Sequence, residues 1–320
     1  MADPNQGTFP YRPLPDGADA IRLLTVQPGD FSDRLVCELE TVLFSAKPRF
    51  TALSYTWQNP YIASQPSSNR LHDGDDRPRP HAPPTPDSPM VIISQGDHEF
   101  QVEVQHNLYL ALLHLRSLTH PLTLWVDAVC INQDDMEERG CQVAIMSFIF
   151  TRALQVVVWL GPKDYGSRTD KTQRMHNDWR TGPVRMLATS LASNTESRGF
   201  SNVMQLDYSA EPDPATVNRI AASAYWTRLW IVQEMCLPQR VVLVYGSVMW
   251  RYEDFAGWNI LAEARRPPLA QNYHHANPLT ENSGIKAIFS LTDTRNARHS
   301  EKLRLERLVE RFAGSHCTEI

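Results

Sequence analysis

The sequence predicts an α/β protein whose core is a doubly wound, mostly parallel sheet, with extra N-terminal strands and helical insertions. Two observations carry that prediction. From residue 108 to 161 an amphipathic helix, a nearly unbroken apolar run, a second amphipathic helix and a β-branched run follow one another, which is the pattern of crossover units. The two runs, LTLWVDAV from Leu122 and QVVVWLG from Gln155, lack the polar alternation of a strand with one wet face, so both read as strands covered on both sides.

The elements follow in order. Residues 1–20 are rich in Pro, Asp and Gly and read as an extended arm. IRLLTV (21–26) and LVCELETVLF (35–44) form a strand pair around Pro28, Gly29 and Asp30, and FTALSYTW (50–57) is a third strand. Residues 59–89 are dense in proline and charge and read as a disordered surface insertion. MVIISQ and HEFQVEV make a hairpin at Gly96-Asp97. Asn107 is the expected N-cap of a helix that buries Leu108, Ala111, Leu112 and Leu115. Asp134 and Glu137 have capping-box spacing for a helix over 135–153, whose inward stripe is Val143, Met146, Ile149, Phe150 and Ala153.

Beyond Gly161 and Pro162 the signal weakens, and 163–224 reads as a helical insertion containing VRMLATSLASN and ATVNRIAASAYW. RLWIVQEMCL (228–237) is a short helix stopped by Pro238, VVLVYG (241–246) a strand, and WRYEDFAGWNILAEARR a helix. The main domain thus spans 21–265, and 266–320 is a helical extension in which IKAIFSL through EKLRLERLVERF read as helices. No internal repeat is present.

Composition excludes several classes. The 320 residues, 42% hydrophobic, suffice for a real core. With 31 Lys plus Arg against 36 Asp plus Glu, the net charge of -5 offers nucleic acid no general attraction. No apolar run approaches the roughly 20 residues that span a bilayer, and the N-terminus lacks a signal pattern, so a cytoplasmic protein is expected. The five scattered cysteines form no C-x-x-C pair and read as reduced thiols, and His274-His275 lack the company a metal site requires, so no metal is expected. Phosphate-cradling and dinucleotide glycine motifs are absent from the sequence, so no bound cofactor is expected.

Three blocks carry a resemblance: ALSYTW (52–57), LWVDAVCINQDDMEERGCQVAIMSFIFTRALQVVVWLG (124–161) and YWTRLWIVQE (225–234). In order and residue type they resemble the fungal heterokaryon-incompatibility (HET) domain over about residues 50 to 255. One departure is plain. The family usually has glycine after the tryptophan of the first block, where this chain has Gln58. Either the loop bends differently or the copy is functionally decayed. FAGSHCTEI resembles the approach to a further block into which HET proteins commonly continue, consistent with a truncated product or a fragment of something longer.

The resemblance implies a role in fungal non-self recognition and regulated cell death. HET domains are distantly similar to Toll-and-interleukin-receptor (TIR) domains, which implies a flavodoxin-like sheet. Some TIR proteins cleave NAD with a glutamate in a W-x-x-x-E helix, the spacing of Trp230 and Glu234. Glu234 is therefore the candidate catalytic carboxylate of an NAD glycohydrolase, with NAD as substrate. The bland reading of Glu234 is a helix-surface acid paired with a neighbour such as Arg228. The alternatives to catalysis are a non-catalytic module working through self-association or other incompatibility proteins, and an inactive copy.

Candidate ligand-binding residues follow from position, since ligands of open α/β sheets bind beyond the carboxyl ends of strands. Tyr55 and Trp57 close the third strand, and Asp127 and Asn132 follow the LTLW strand. The competing readings are core packing for the aromatics and loop-fixing hydrogen bonds for the Asx residues. Trp230 would supply an aromatic surface beside Glu234. Arg139 sits where a helix dipole disfavours a cation, so an acidic partner such as Asp127 or Asp135, or an anionic ligand, is expected. Cys130 reads as a small buried residue.

Overall fold

A computed structural model describes residues 9–15, 19–57, 89–162, 208–264 and 283–297. Nine strands among them form one sheet: β1 (Ala20–Val26), β2 (Val36–Leu43), β3 (Thr51–Ser54), β4 (Met90–Gln95), β5 (His98–Glu103), β6 (Leu122–Trp125), β7 (Gln155–Trp159), β8 (Val241–Tyr245) and β9 (Val248–Arg251). Their spatial order is β5-β4-β2-β1-β6-β3-β7-β8-β9. The helices are α1 (His106–Leu115), α2 (Asp127–Cys130), α3 (Met136–Arg152), α4 (Pro214–Ala221), α5 (Ile231–Cys236), α6 (Tyr252–Ala264) and α7 (Ser283–Asn296).

The fold is mixed α/β. The strands β6-β3-β7-β8 run parallel to one another, and β2 is parallel to β4. The other four pairings, β1 with β2 and β6, β4 with β5, and β8 with β9, are antiparallel, so the sheet as a whole is evenly mixed rather than mostly parallel. Short turns produce two of these antiparallel pairings. Gly96 and Gly246 take positive φ of 64° and 59° and fold β5 back on β4 and β9 back on β8. β9 itself is absent from the sequence reading, which gave Trp250 and Arg251 to the following helix.

Register places the helices on opposite faces. Ala52 lies beside Trp125 and Val156 across β6, β3 and β7, so these three and Ser54 share one face. Trp125 meets Phe150 of α3 edge to face. Trp159 has the opposite parity and packs on His114 of α1. Every residue of β3, β7 and β8 is buried, as double coverage requires.

Two caps differ from expectation. Gln105, not Asn107, precedes α1, and Asn107 lies inside the first turn with its side chain turned inward. The N-cap of α3 is Asp135, which accepts from the backbone N–H groups of Glu137 and Glu138, because the chain extends one residue further than the Asp134 spacing suggests. Met146, Ile149, Phe150 and Ala153 are buried as expected, and Val143 is half-buried. ATVNRIAASAYW divides into α4 and a 3-10 turn over Ala224–Thr227.

Two buried arginines fasten outlying segments. Arg22 is fully buried, pairs with both oxygens of Glu138 on α3 at 2.5 and 2.8 Å, and donates to the carbonyls of Arg12 and Cys130. Tyr11 lies against the Arg22 guanidinium and donates to the Val129 carbonyl, which joins residues 9–15 to α2. On α7, Arg295 donates to the carbonyls of Met235, Pro238 and Gln239 and pairs with Glu253, so it closes the C-terminal end of α5. The segments VRMLATSLASN and EKLRLERLVERF, the insertion 59–88, Gln58 and the His274-His275 pair lie outside the described residues.

Candidate functional site

The carboxyl end of β3 is the focus. Glu234 comes to it from α5 and is 2% exposed, too buried for a surface acid. Arg228 grips it with two nitrogens, Nη1 to Oε2 at 3.1 Å and Nη2 to Oε1 at 3.0 Å. The Ser54 hydroxyl donates to Oε2 through a short hydrogen bond and lies 2.6 Å from the Tyr225 hydroxyl. Serine fits here because Ser54 projects from the α3 face of β3, where α5 also packs, and only a small hydroxyl leaves room for a carboxylate. Burial alone would lower the pKa of Arg228, but Glu234, then Tyr225 and Asp127, hold it above its usual value.

A second carboxylate stands beside this pair. Asp127 opens α2 directly after β6, with its Oδ1 accepting its neighbour Ala128 N–H and its Oδ2 accepting Trp57 Nε1 at 3.0 Å. Burial pushes its pKa up to about 6; the positive charge of Arg228 opposes the shift and Glu234 adds to it. Tyr55 is wholly buried, and burial with Asp127 next to it raises its hydroxyl well above the ordinary range. The ends of β3 and β6 thus bring together Ser54, Tyr55, Trp57, Asp127, Arg228 and Glu234.

Asn107 holds the loop after β3 in place. Its Nδ2 donates to the Thr56 carbonyl at 2.7 Å and to the Thr56 hydroxyl at 3.1 Å, and its Oδ1 accepts Trp159 Nε1 at 2.9 Å. One amide on α1 therefore ties Thr56, two residues beyond β3, to Trp159 at the end of β7.

The cluster lies within a stretch recognised by comparison with other proteins. The model of a family described as "Heterokaryon incompatibility protein (HET)" matches residues 50–234. The chain belongs to that family. It is also 30% identical over 254 residues to heterokaryon incompatibility protein 6, OR allele, of Neurospora crassa, covering 73% of this chain and 34% of that protein. The chain therefore spans about a third of the length of that relative. No solved structure matches it.

Every residue of the Glu234 cluster falls inside the HET match, whereas Arg22 and Arg295 lie outside it. The remaining candidates are placed differently. Asn132 turns its side chain to the Asp134 N–H, a loop-fixing Asx contact, and its backbone N–H reaches Glu138. The Arg139 guanidinium pairs with neither Asp127 nor Asp135, although its backbone N–H donates to the Asp135 carbonyl; its Nη2 lies 2.9 Å from Met136 Sδ on the outside of α3. The helix faces explain this, since Glu138, one position earlier, points inward to Arg22. Trp230 is the residue before α5, at its N-cap, half-buried, with its Nε1 unpartnered among the described residues. Cys130 is buried with its pKa pushed to about 12, far from a reactive thiolate.

Ser54, with Tyr55 and Trp57, is expected at the ligand-facing end of the third strand but not as a partner of Glu234; Tyr225 is missed altogether and Asn107 misassigned. The mixture of small and aromatic hydroxyl residues at strand and helix ends gives no periodic signal. Among the described residues no group of three or more His, Cys, Asp or Glu is arranged to hold a metal ion, and no helix is long and apolar enough to cross a membrane.

Proposed function

We propose that this chain is a cytoplasmic effector module of fungal heterokaryon incompatibility, promoting regulated cell death on non-self recognition by hydrolysing NAD in the crevice beyond β3 and β6. The observation that carries the reading is the convergence of two buried carboxylates, Glu234 and Asp127, with Trp57 and Tyr55 at the carboxyl ends of adjacent parallel strands. The parallel block supports it. Numbered by chain order, β6-β3-β7-β8 reads 2-1-3-4, the arrangement of flavodoxin-like sheets, whose ligands bind at such strand ends.

In this reaction water attacks the anomeric carbon, the carbon–nitrogen bond breaks, and its electron pair leaves with nicotinamide. The leaving group needs no proton, so the site must stabilise a cationic sugar and accept one proton from water. Glu234 supplies negative charge and Asp127, titrating near 6, accepts the proton. Trp57 and Trp230 offer aromatic surface. Expression of the chain in fungal cells tests the reading: wild type should arrest growth and deplete NAD, and Glu234→Gln and Asp127→Asn should do neither while remaining folded.

A second reading rests on a different observation. Both oxygens of Glu234 are already engaged by Arg228 and Ser54. In that case the cluster is the polar core that fixes the HET blocks together, and the module signals through association. Toxicity that persists in folded Glu234→Gln protein, with NAD levels unchanged, would favour this reading over hydrolysis.

A further inference from the structure

The outer face of α3 has a composition that its own fold does not call for. Met136–Arg152 makes seventeen residues of helix, and from Gly140 to Thr151 none is charged. Its inner face is spent on Met146, Ile149 and Phe150. Yet Phe148 is 62% exposed, and Cys141 and Ala144 are exposed with Ile145 half-buried beside them. At 100° per residue these four positions share one stripe of the helix surface, and Glu137 and Arg152, both exposed, continue it at its two ends.

Gly140 is a second, independent observation. A Cβ added there would meet nothing within 4 Å among the described residues, so none of them requires glycine at that position. Glycine in a helix interior is nonetheless the least favoured residue after proline. A glycine held at an exposed helix position, about two turns from the exposed Phe148, has a use if another helix approaches closely.

We propose that the outer stripe of α3 is a two-fold interface with a second copy of this chain, the two α3 helices packing antiparallel about a centre between Ala144 and Ile145. The charge pattern selects a second copy as the occupant. With that centre, Glu137 of each copy falls opposite Arg152 of the other, Phe148 falls opposite Cys141 and the gap at Gly140, and Ala144 falls opposite Ile145. Small residues face large ones and opposite charges face each other, the self-complementarity that an isologous interface requires. A stripe this long stays in register only when the helices cross at a shallow angle, about 20°. The inference concerns a stripe of α3 that carries none of the Glu234 cluster and stands whether or not NAD is cleaved.

Sedimentation equilibrium of the full chain across a concentration series tests it, with circular dichroism and thermal melts to establish folding. Wild type should dimerise reversibly. Phe148→Glu should be a folded monomer. Glu137→Arg and Arg152→Glu should each weaken the dimer about tenfold or more, because like charges then meet across the interface, and the double variant Glu137→Arg/Arg152→Glu should restore it. Those two side chains stand fifteen residues, about 22 Å, apart on one helix, so rescue can only act between copies. Gly140→Ala should raise the melting temperature while weakening association. A wild type that is monomeric throughout, a dimer indifferent to Phe148→Glu, or failure of the double charge reversal would each overturn the proposal. So would a monomer destabilised by Phe148→Glu, which would show the stripe covered by this chain's own remaining residues.

Discussion

Removing the carboxylate of Glu234 should destabilise the protein severely, and removing Arg228 with it should not. Glu234 and Arg228 have side chains 3% and 12% exposed and share two hydrogen bonds of 3.0 and 3.1 Å. Truncating one partner leaves the other charge buried and unpaired, which costs about 3–5 kcal/mol, whereas exchanging both for apolar groups of similar volume is often close to neutral. Glu234→Leu and Arg228→Met should therefore each lower the unfolding free energy by about 3–5 kcal/mol. Glu234→Leu/Arg228→Met should fall short of the sum by about 6 kcal/mol or more, less whatever the stranded Ser54 and Tyr225 hydroxyls cost. Urea unfolding of the four proteins measures this as a double-mutant cycle. Single variants within about 1 kcal/mol of wild type, or simple additivity, would refute the buried pair. The same arithmetic dictates Glu234→Gln rather than alanine for activity work, since the amide keeps two polar atoms in place.

Two further outcomes follow from the residues around the pair. Asp127 has its pKa raised from 3.8 to about 6 by burial, so the folded state prefers the protonated form. Its contribution is fully present below the unfolded value and is lost as pH rises through about 6. Relative to Asp127→Asn, wild type should lose about 3 kcal/mol of stability between about pH 4 and pH 6, seen in melts at a series of pH values; a constant difference would count against the shift. Asn107→Leu should cost about 3 kcal/mol by stranding Trp159 Nε1 and the Thr56 carbonyl, and should change the tryptophan emission because the Trp159 indole loses its acceptor; an unaltered spectrum and stability would show that the amide does not hold that loop.

The parallel block was legible because burial on both faces writes itself as continuous apolar sequence: Val156, Val157 and Val158 admit no other arrangement in a strand that short. The antiparallel edges were legible only in part. Gly96-Asp97 announced the β4–β5 turn, but Gly246-Ser247 was followed by residues that also suit a helix, and β9 was lost. The site divides in the same way. Asp127, Tyr55 and Trp57 could be placed because they end strands, and strand ends converge. Arg228 could be named as a neighbour of Glu234 from six residues away in the chain, but its depth could not, because burial of Glu234 depends on α7 and β3 packing from distant sequence. Asn107 shows the limit. An asparagine before an apolar helical stripe suits an N-cap as well as a buried amide, and only the position of Trp159 decides between them. Arg139 erred through one step of helix phase, since Glu138 takes the inward place.

The central claim is that the crevice beyond β3 and β6 hydrolyses NAD, and nicotinamide release by purified protein tests it most directly. The assay should run at several protein concentrations, beside Glu234→Gln and Asp127→Asn variants shown to be folded. The account predicts nicotinamide release in step with NAD loss by wild type, release abolished in Glu234→Gln, and release by wild type that rises with pH through about 6 as Asp127 ionises. No release at any concentration, or equal release by folded Glu234→Gln protein, would contradict it.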